Sequence, residues 1–134
     1  MLLFLISLQK KKMRKIMLKT GHKELDALDL SSVCSCFIST KKHLNLSNDD
    51  VSEIRDLYKS FLWLKINYPH QTLSPTEIID SFWHEHILDT RKYFADCNTL
   101  FGEYMHHTPS SNKAAHDAFR TTINLVARHF PEHM

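Results

Sequence analysis

Histidine is the residue type best suited to chemistry in this sequence, because ten of the 134 residues are histidines. In the run DSFWHEHILDT, His84 follows Asp80 by four positions and His86 follows His84 by two. On a helix, residues i and i+4 share a face, whereas residues two apart point in directions about 200° apart. We therefore expect His84 and His86 to belong to different sites.

Asp80 and His84 are candidates for one half of a metal site. A carboxylate can accept a hydrogen bond from a ligand histidine and fix its tautomer, although the same pair also occurs as an ordinary surface contact. A second pair, His106 and His107, lies in the run EYMHHTP, where a loop can double back over the helix. Nitrogen and oxygen ligands of this kind suit zinc, iron, manganese or copper. The candidate ligands of a transition metal are Asp80, His84, His106 and His107.

His86 is predicted to face the interior. At 100° per residue it falls in the middle of an apolar stripe, which continues through Thr90, Tyr93 and Cys97. It is either a core histidine whose nitrogens are satisfied by Tyr93 or a backbone carbonyl, or part of a catalytic pocket. An apolar setting would raise the pKa of the Cys97 thiol and disfavour cysteine catalysis. The candidate pocket residues are His86, Asp89, Tyr93 and Cys97.

Capping signals and periodicity predict the helices that come before these residues. Apolar spacing predicts a helix over about 30–42, with Asp29 as its N-cap. A second helix starts after Ser47, which is followed by acidic residues. It should stop before Pro69, because the residue ahead of a proline avoids the α region.

The strongest helix start in the chain is Ser74-Pro75-Thr76-Glu77. It offers a serine N-cap, a proline at the first helical position and a glutamate at the third. We expect one long helix from there to about Phe101, ended by Gly102 in the left-handed conformation. A loop over 103–112 and a last helix over about 113–129 complete the chain.

Composition limits the fold class and the partners. Apolar residues make up 43% and charged residues 24%, as in ordinary globular proteins. With 2 glycines and 4 prolines the chain has few turn residues, which disfavours an all-β fold. A net charge of +2 is too small to indicate a nucleic-acid partner. The prediction is an all-α fold, a single small antiparallel bundle of about four core helices.

The cysteines and the N-terminal segment bear on the cellular location of the protein. The 3 cysteines are odd in number, and Cys34 and Cys36 are too close to pair with each other, which indicates a reducing, cytoplasmic location. In MLLFLISLQKKKMRK the apolar stretch precedes the charges, the reverse of a secretory signal, and it is too short to span a bilayer. Either residues 1–22 form a leader ahead of a domain over 23–134, or translation starts at Met13 or Met17. Contact of residues 1–16 with a membrane surface is the functional alternative.

The stretch from Ser74 to Pro109 carries a long motif. It reads D-x-x-W-H-x-H-I-L-D-T-x-x-Y-x-x-D-C, then L-F-G and H-H-x-P, and it resembles the glycine-rich domain-containing protein-like family over about residues 28–132. After the motif the chain departs from small family members, with SSNKAAHD in place of an aromatic, glycine-containing loop. The resemblance assigns no activity, but it implies that one motif contains Asp80, Trp83, His84, His86, Asp89, Thr90, Tyr93, Asp96, Cys97, His106 and His107.

Two functions from different classes follow. In the first, a small helical protein binds a transition metal at a His/Asp site, and metal-bound water or dioxygen supplies any chemistry. Metal binding should then weaken as the pH falls, because the imidazole ligands must be neutral. In the second, the protein is a non-enzymatic module that recognises a protein partner, and the motif is a buried hydrogen-bond network.

Overall fold

A computed structural model of the chain describes residues 18–108 and 112–134, and the regular structure in these ranges is helical. The all-α prediction is therefore confirmed. The predicted leader lies outside the described residues up to residue 17, and its boundary at residue 22 stays a prediction. The α-helices of the described part are α1 (Lys23–Asp26), α2 (Ser31–Thr40), α3 (Asn48–Asn67), α4 (Glu77–Leu88), α5 (Thr90–Phe101) and α6 (Asn112–His129), and short 3-10 turns follow α2 (Lys42–Leu44) and α6 (Pro131–His133).

Helix α3 begins and ends where local signals predict. The backbone N–H of Asp50 donates to Ser47 Oγ at 3.1 Å, and the N–H of Ser47 donates to Asp50 Oδ2 at 3.0 Å. This reciprocal pair satisfies donors that a helix start leaves free. The helix ends at Asn67, with Tyr68 as its C-cap before Pro69.

The starts of α2 and α6 lie within one residue of their predicted positions, but the prediction of Asp29 as the N-cap of α2 is wrong, because the N-cap is Leu30. Asp29 Oδ1 accepts hydrogen bonds from the backbone N–H and the hydroxyl of Ser31, at 2.9 and 2.7 Å. Helix α2 ends at Thr40 rather than residue 42, because the chain tightens into a 3-10 turn there. Helix α6 runs to His129 and stops ahead of Phe130-Pro131.

The predicted start of the third helix is wrong by two positions. The N-cap of α4 is Thr76 and its first residue is Glu77, whereas Ser74 and Pro75 lie in the preceding connection. The reason is a tertiary contact, in which the backbone N–H of Ser74 donates to Thr122 Oγ1 of α6 at 2.9 Å. The backbone of Ser74 is thus hydrogen-bonded to α6, and Ser74 is not the N-cap of α4.

The single long helix predicted up to Phe101 is also wrong. The chain leaves helical geometry at Asp89, whose φ is −82° and ψ is 74°, and α5 begins at the next residue. Neither glycine nor proline marks the break. Thr90, which the predicted helix placed on the buried stripe, is exposed. The bundle therefore contains five helices of ten or more residues where about four were predicted.

The break allows α5 to fold back against α4. In a straight helix, residues ten positions apart are separated by about 15 Å along the axis. Here Trp83 Nε1 lies 3.0 Å from Tyr93 Oη, and His86 Nε2 lies 2.7 Å from Asp96 Oδ2. These two contacts, each ten residues apart, exist only because of the turn at Asp89.

The core is one cluster to which helices α1 to α5 all contribute buried side chains, with α6 packed against it. Phe82 lies at its centre, where its ring centroid is 5.3 Å from that of Phe37 and 5.1 Å from that of Tyr58. No helix within residues 18–108 and 112–134 combines the length and apolar character needed to cross a membrane. The largest fully buried side chains include Leu25, Val33, Phe37, Ile54, Tyr58, Phe82, His86 and Tyr93.

Candidate metal centre

Three of the four predicted ligands come together at one end of the α4–α5 pair. Asp80 and His84 lie one turn apart on α4, with His84 Nε2 3.5 Å from Asp80 Oδ2. His107, from the loop after α5, places its Nε2 2.6 Å from Asp80 Oδ1. One ligand atom from each residue can be chosen so that all three lie within 4.8 Å of one another. We call this group the Asp80–His84–His107 cluster.

Trp83 holds the His107 ring in place. The imidazole lies flat on the indole, with ring centroids 4.0 Å apart and an angle of 2° between the planes. Trp83 is itself buried, and Lys65 Nζ lies 5.8 Å from its ring centroid. A buried aromatic surface therefore restricts the rotation of His107 before any ion binds.

Hydrogen bonds connect the loop that carries His107 to the indole of Trp83. Gly102 ends α5 with a φ of 74°, a left-handed conformation that glycine adopts without a steric penalty. Tyr93 Oη accepts a hydrogen bond from Trp83 Nε1 and donates to the carbonyl oxygen of Met105 at 2.6 Å. This chain of hydrogen bonds fixes the loop two residues before His107.

The cluster has the composition and exposure of an open metal site. The side chains of His84, Asp80 and His107 are 56%, 34% and 23% exposed, so water reaches them. Two imidazoles and one carboxylate match the ligands of borderline transition metals. Three protein ligands leave at least one coordination position for water, as in catalytic rather than closed structural zinc sites.

The distances from Asp80 to the two histidines bracket the spacing that a tetrahedral ion requires, and each runs to a different carboxylate oxygen. Bonds of about 2.0–2.1 Å to zinc place two ligand atoms about 3.3 Å apart. The 3.5 Å between His84 and Asp80 already fits this spacing. The 2.6 Å between His107 and Asp80 is a hydrogen bond, which would have to lengthen if a metal took the place of its proton.

The fourth predicted ligand lies outside this group. The ring of His106 is exposed and packs edge-on against Tyr104, with centroids 4.8 Å apart. His106 is absent from the set of converging ligand atoms in the described residues, whereas its neighbour His107 belongs to it. Sequence alone could not choose between two adjacent histidines in a loop.

His86 belongs to a separate, buried network. It is 1% exposed, its Nδ1 lies 2.7 Å from Tyr58 Oη, and its Nε2 lies 2.7 Å from Asp96 Oδ2. A carboxylate only accepts, so Nε2–H donates to Asp96 and Nδ1 accepts from the Tyr58 hydroxyl. Burial lowers the pKa of His86, although Asp96 opposes this shift, and the ring is neutral. Both nitrogens are therefore in use.

The structure places the four predicted pocket residues in two different environments. Tyr93 and Cys97 are buried with His86 in the core, whereas Asp89 is exposed at the break between α4 and α5. Burial raises the pKa of the Cys97 thiol, as the sequence argument against cysteine catalysis assumed. A cavity of about 620 Å³ lies elsewhere, and none of the four lines it.

Sequence reasoning missed Tyr58 as the partner of His86. Tyr58 lies on α3, 28 positions from His86, and nothing in its local sequence distinguishes it from another core aromatic residue. Asp96 did carry a signal, since it belongs to the motif together with His86. It lay ten positions away on what was predicted as a straight helix, so no contact was expected.

The free energy of unfolding is expected to decrease as the pH falls from about 7.5 to 5.5. Burial lowers the pKa of His86 and of His133, so below about 6.5 the unfolded chain binds protons that the folded protein excludes. Above that pH, His86 and His133 are neutral in both the folded and the unfolded state, so they no longer lower the free energy of unfolding. Urea unfolding at both pH values measures the difference.

His133→Gln and His86→Gln should each reduce this pH dependence. His84→Gln, at an exposed position, is the control and should leave it unchanged. Wild-type stability that stays constant or rises between pH 7.5 and 5.5 would contradict the expectation.

Comparison with known proteins corrects the family suggested by the motif. A family model described as UCP032817-like matches residues 14–131. The resemblance to the glycine-rich domain-containing protein-like family is therefore wrong as a family assignment, since the match covers the whole motif and both flanking helices. No curated protein and no solved structure matches the chain. The chain belongs to the UCP032817-like family.

Proposed function

We propose that this protein binds a divalent transition metal ion through Asp80, His84 and His107. The observation that carries the proposal is the convergence of their ligand atoms within 4.8 Å. Two of these residues come from one helical face and the third from a loop that passes over it. An exposed carboxylate beside one histidine is common, but a second histidine held flat on a buried tryptophan is a more specific arrangement.

The ligand set favours zinc, iron, manganese or copper over magnesium or calcium. Hard cations prefer six or more oxygen ligands, whereas this cluster offers two nitrogens and one carboxylate. The exposed side of the cluster leaves room for water on the ion. We infer that a metal-bound water at this position is the reactive group of any hydrolytic chemistry.

The buried network supports the cluster and need not be a separate function. His86, Tyr58 and Asp96 join α4 to α3 and α5 through two hydrogen bonds of 2.7 Å. This arrangement matches the structural role that the interaction-module hypothesis assigned to the motif. That structural role does not extend to Asp80, His84 and His107, because these residues lie outside the network and are accessible to water.

Elemental analysis of untagged protein, purified without chelator, tests the proposal. We expect about one equivalent of a transition metal, or stoichiometric uptake of zinc in a calorimetric titration. His107→Ala should weaken zinc binding at least about 100-fold, because losing a ligand costs more than losing one of its supporting hydrogen bonds. Binding should also release protons and weaken at acidic pH.

His106→Ala is the matched control. It removes an adjacent histidine from the same loop, and we expect it to retain zinc binding because its ring packs on Tyr104. Equal loss in both variants would indicate nonspecific binding by exposed histidines. Metal that dialysis removes from wild-type protein, with no change in melting temperature on addition of zinc, would refute the proposal.

A further inference from the structure

A second candidate site lies away from the Asp80–His84–His107 cluster. A cavity of about 620 Å³ opens between α3, the start of α4, α6 and the two 3-10 turns. None of the three cluster residues lines it. Its wall is mainly hydrocarbon, with contributions from Leu57, Phe61, Ile78, Phe119, Ile123 and Val126.

Two polar side chains in this wall, Ser60 and Thr122, already have partners inside the protein. Ser60 Oγ and His133 Nε2 lie 2.7 Å apart. Thr122 Oγ1 donates to the carbonyl oxygen of Ala118 at 2.8 Å and accepts from the backbone N–H of Ser74 at 2.9 Å. The hydroxyls of Ser60 and Thr122 are therefore already engaged within the protein, and a hydrocarbon body fits this part of the wall best.

One part of the wall is polar, because the start of α4 forms it. Residues 75–79, which include the first turn of α4, all line the cavity. The N-cap Thr76 forms no side-chain capping bond, and its Oγ1 is buried without a hydrogen-bond partner among the described residues. The free N–H groups of a helix start carry a partial positive charge and favour a carboxylate or phosphate.

The charges near this helix start favour an anion. Lys41 lines the same cavity and supplies a full positive charge. Glu77 also lines the cavity, but it is exposed to water, which screens its repulsion of a bound anion.

We propose that this cavity binds one fatty-acid-like molecule, with an unbranched hydrocarbon tail along the apolar wall and a carboxylate near Lys41 and the start of α4. The volume lies within the range of about 300–1,000 Å³ that is typical of small-molecule sites. A hydrocarbon tail matches a wall that is mainly hydrocarbon. A carboxylate matches the lysine and the uncapped helix start.

Calorimetric titration with dodecanoate, below its micelle concentration and without added metal, is the first measurement. We expect saturable binding of one molecule per chain. Decanoate should bind about tenfold more weakly, because two fewer methylenes are buried. Dodecyltrimethylammonium has the same tail and the opposite charge, and we expect it to bind at least tenfold more weakly than dodecanoate.

Two pairs of variants locate the ligand. Ile123→Trp fills the cavity and should abolish binding, whereas Asn124→Trp, at the next and exposed position of α6, should not. Lys41→Gln should weaken dodecanoate binding about tenfold, and Lys42→Gln, with the same change of charge outside the cavity wall, should not. If Ile123→Trp does not fold, Val126→Phe takes its place.

Failure to bind dodecanoate would overturn the proposal. Binding that survives the cavity-filling substitution would overturn it too, because the ligand would then lie elsewhere. Equal affinity for the ammonium compound would show that the carboxylate has no role, and the proposed ligand class would be wrong. Zinc uptake by wild-type protein does not depend on any of these results, so the two sites succeed or fail separately.

Discussion

His86→Ala is expected to lower the free energy of unfolding by about 2–4 kcal/mol. The substitution removes an imidazole ring that is 1% exposed and leaves a cavity in the core. The Tyr58 hydroxyl, which is wholly buried, loses its acceptor, and Asp96 loses a charge-assisted donor. The melting temperature should fall by about 8–15 °C for a chain of this length.

His84→Ala is the control for this effect, since it removes an exposed histidine from the same helix. We expect it to change the melting temperature of the metal-free protein by less than about 2 °C, while abolishing zinc binding. His86→Ala should show the opposite pattern below its melting temperature, with zinc binding retained. If His86→Ala melts at the wild-type temperature, the Tyr58–His86–Asp96 network contributes nothing to folding.

Tyr93→Phe is expected to weaken zinc binding about tenfold and to lower the stability by about 1–3 kcal/mol. The lost hydroxyl joins Trp83 Nε1 to the carbonyl oxygen of Met105, two residues before His107. Without it the buried indole N–H has no acceptor, and the loop is held less firmly. Calorimetric titration with zinc and chemical unfolding give the two numbers.

Tyr104→Phe provides a matched comparison, because it removes a phenol hydroxyl from the same loop at an exposed position. We expect wild-type zinc affinity and stability from it. Hydrogen exchange should show faster exchange of the backbone amides of residues 103–108 in Tyr93→Phe than in Tyr104→Phe. A loss of stability in Tyr93→Phe without any loss of zinc affinity would show that Tyr93 supports the core and does not position His107.

Local signals in the sequence were enough to predict the helical class and most helix ends. The Ser47 capping box and the proline at position 69 act through neighbouring atoms, so they determine the ends of α3 without help from the rest of the fold. The pairing of Asp80 with His84 also follows from sequence, since an i,i+4 relation is a property of one helix.

The break at Asp89 could not be predicted in this way. Helical periodicity carries on across a single non-helical residue, and neither glycine nor proline marks the position. The break is stabilised by contacts that form only when α5 packs on α4, namely Trp83 with Tyr93 and His86 with Asp96. Local propensity is weak compared with such buried contacts, so the tertiary structure determined the turn.

The sequence by itself determined that the chain forms helices, that Asp80 and His84 share a helical face, and that His86 points into the core. These properties depend on covalent geometry and on residues within one or two turns. Only the tertiary structure decided that His107 rather than His106 joins the cluster, and that Tyr58 accompanies His86. Those choices depend on how α5 and its loop fold back over α4, which is set by contacts between residues far apart in the chain.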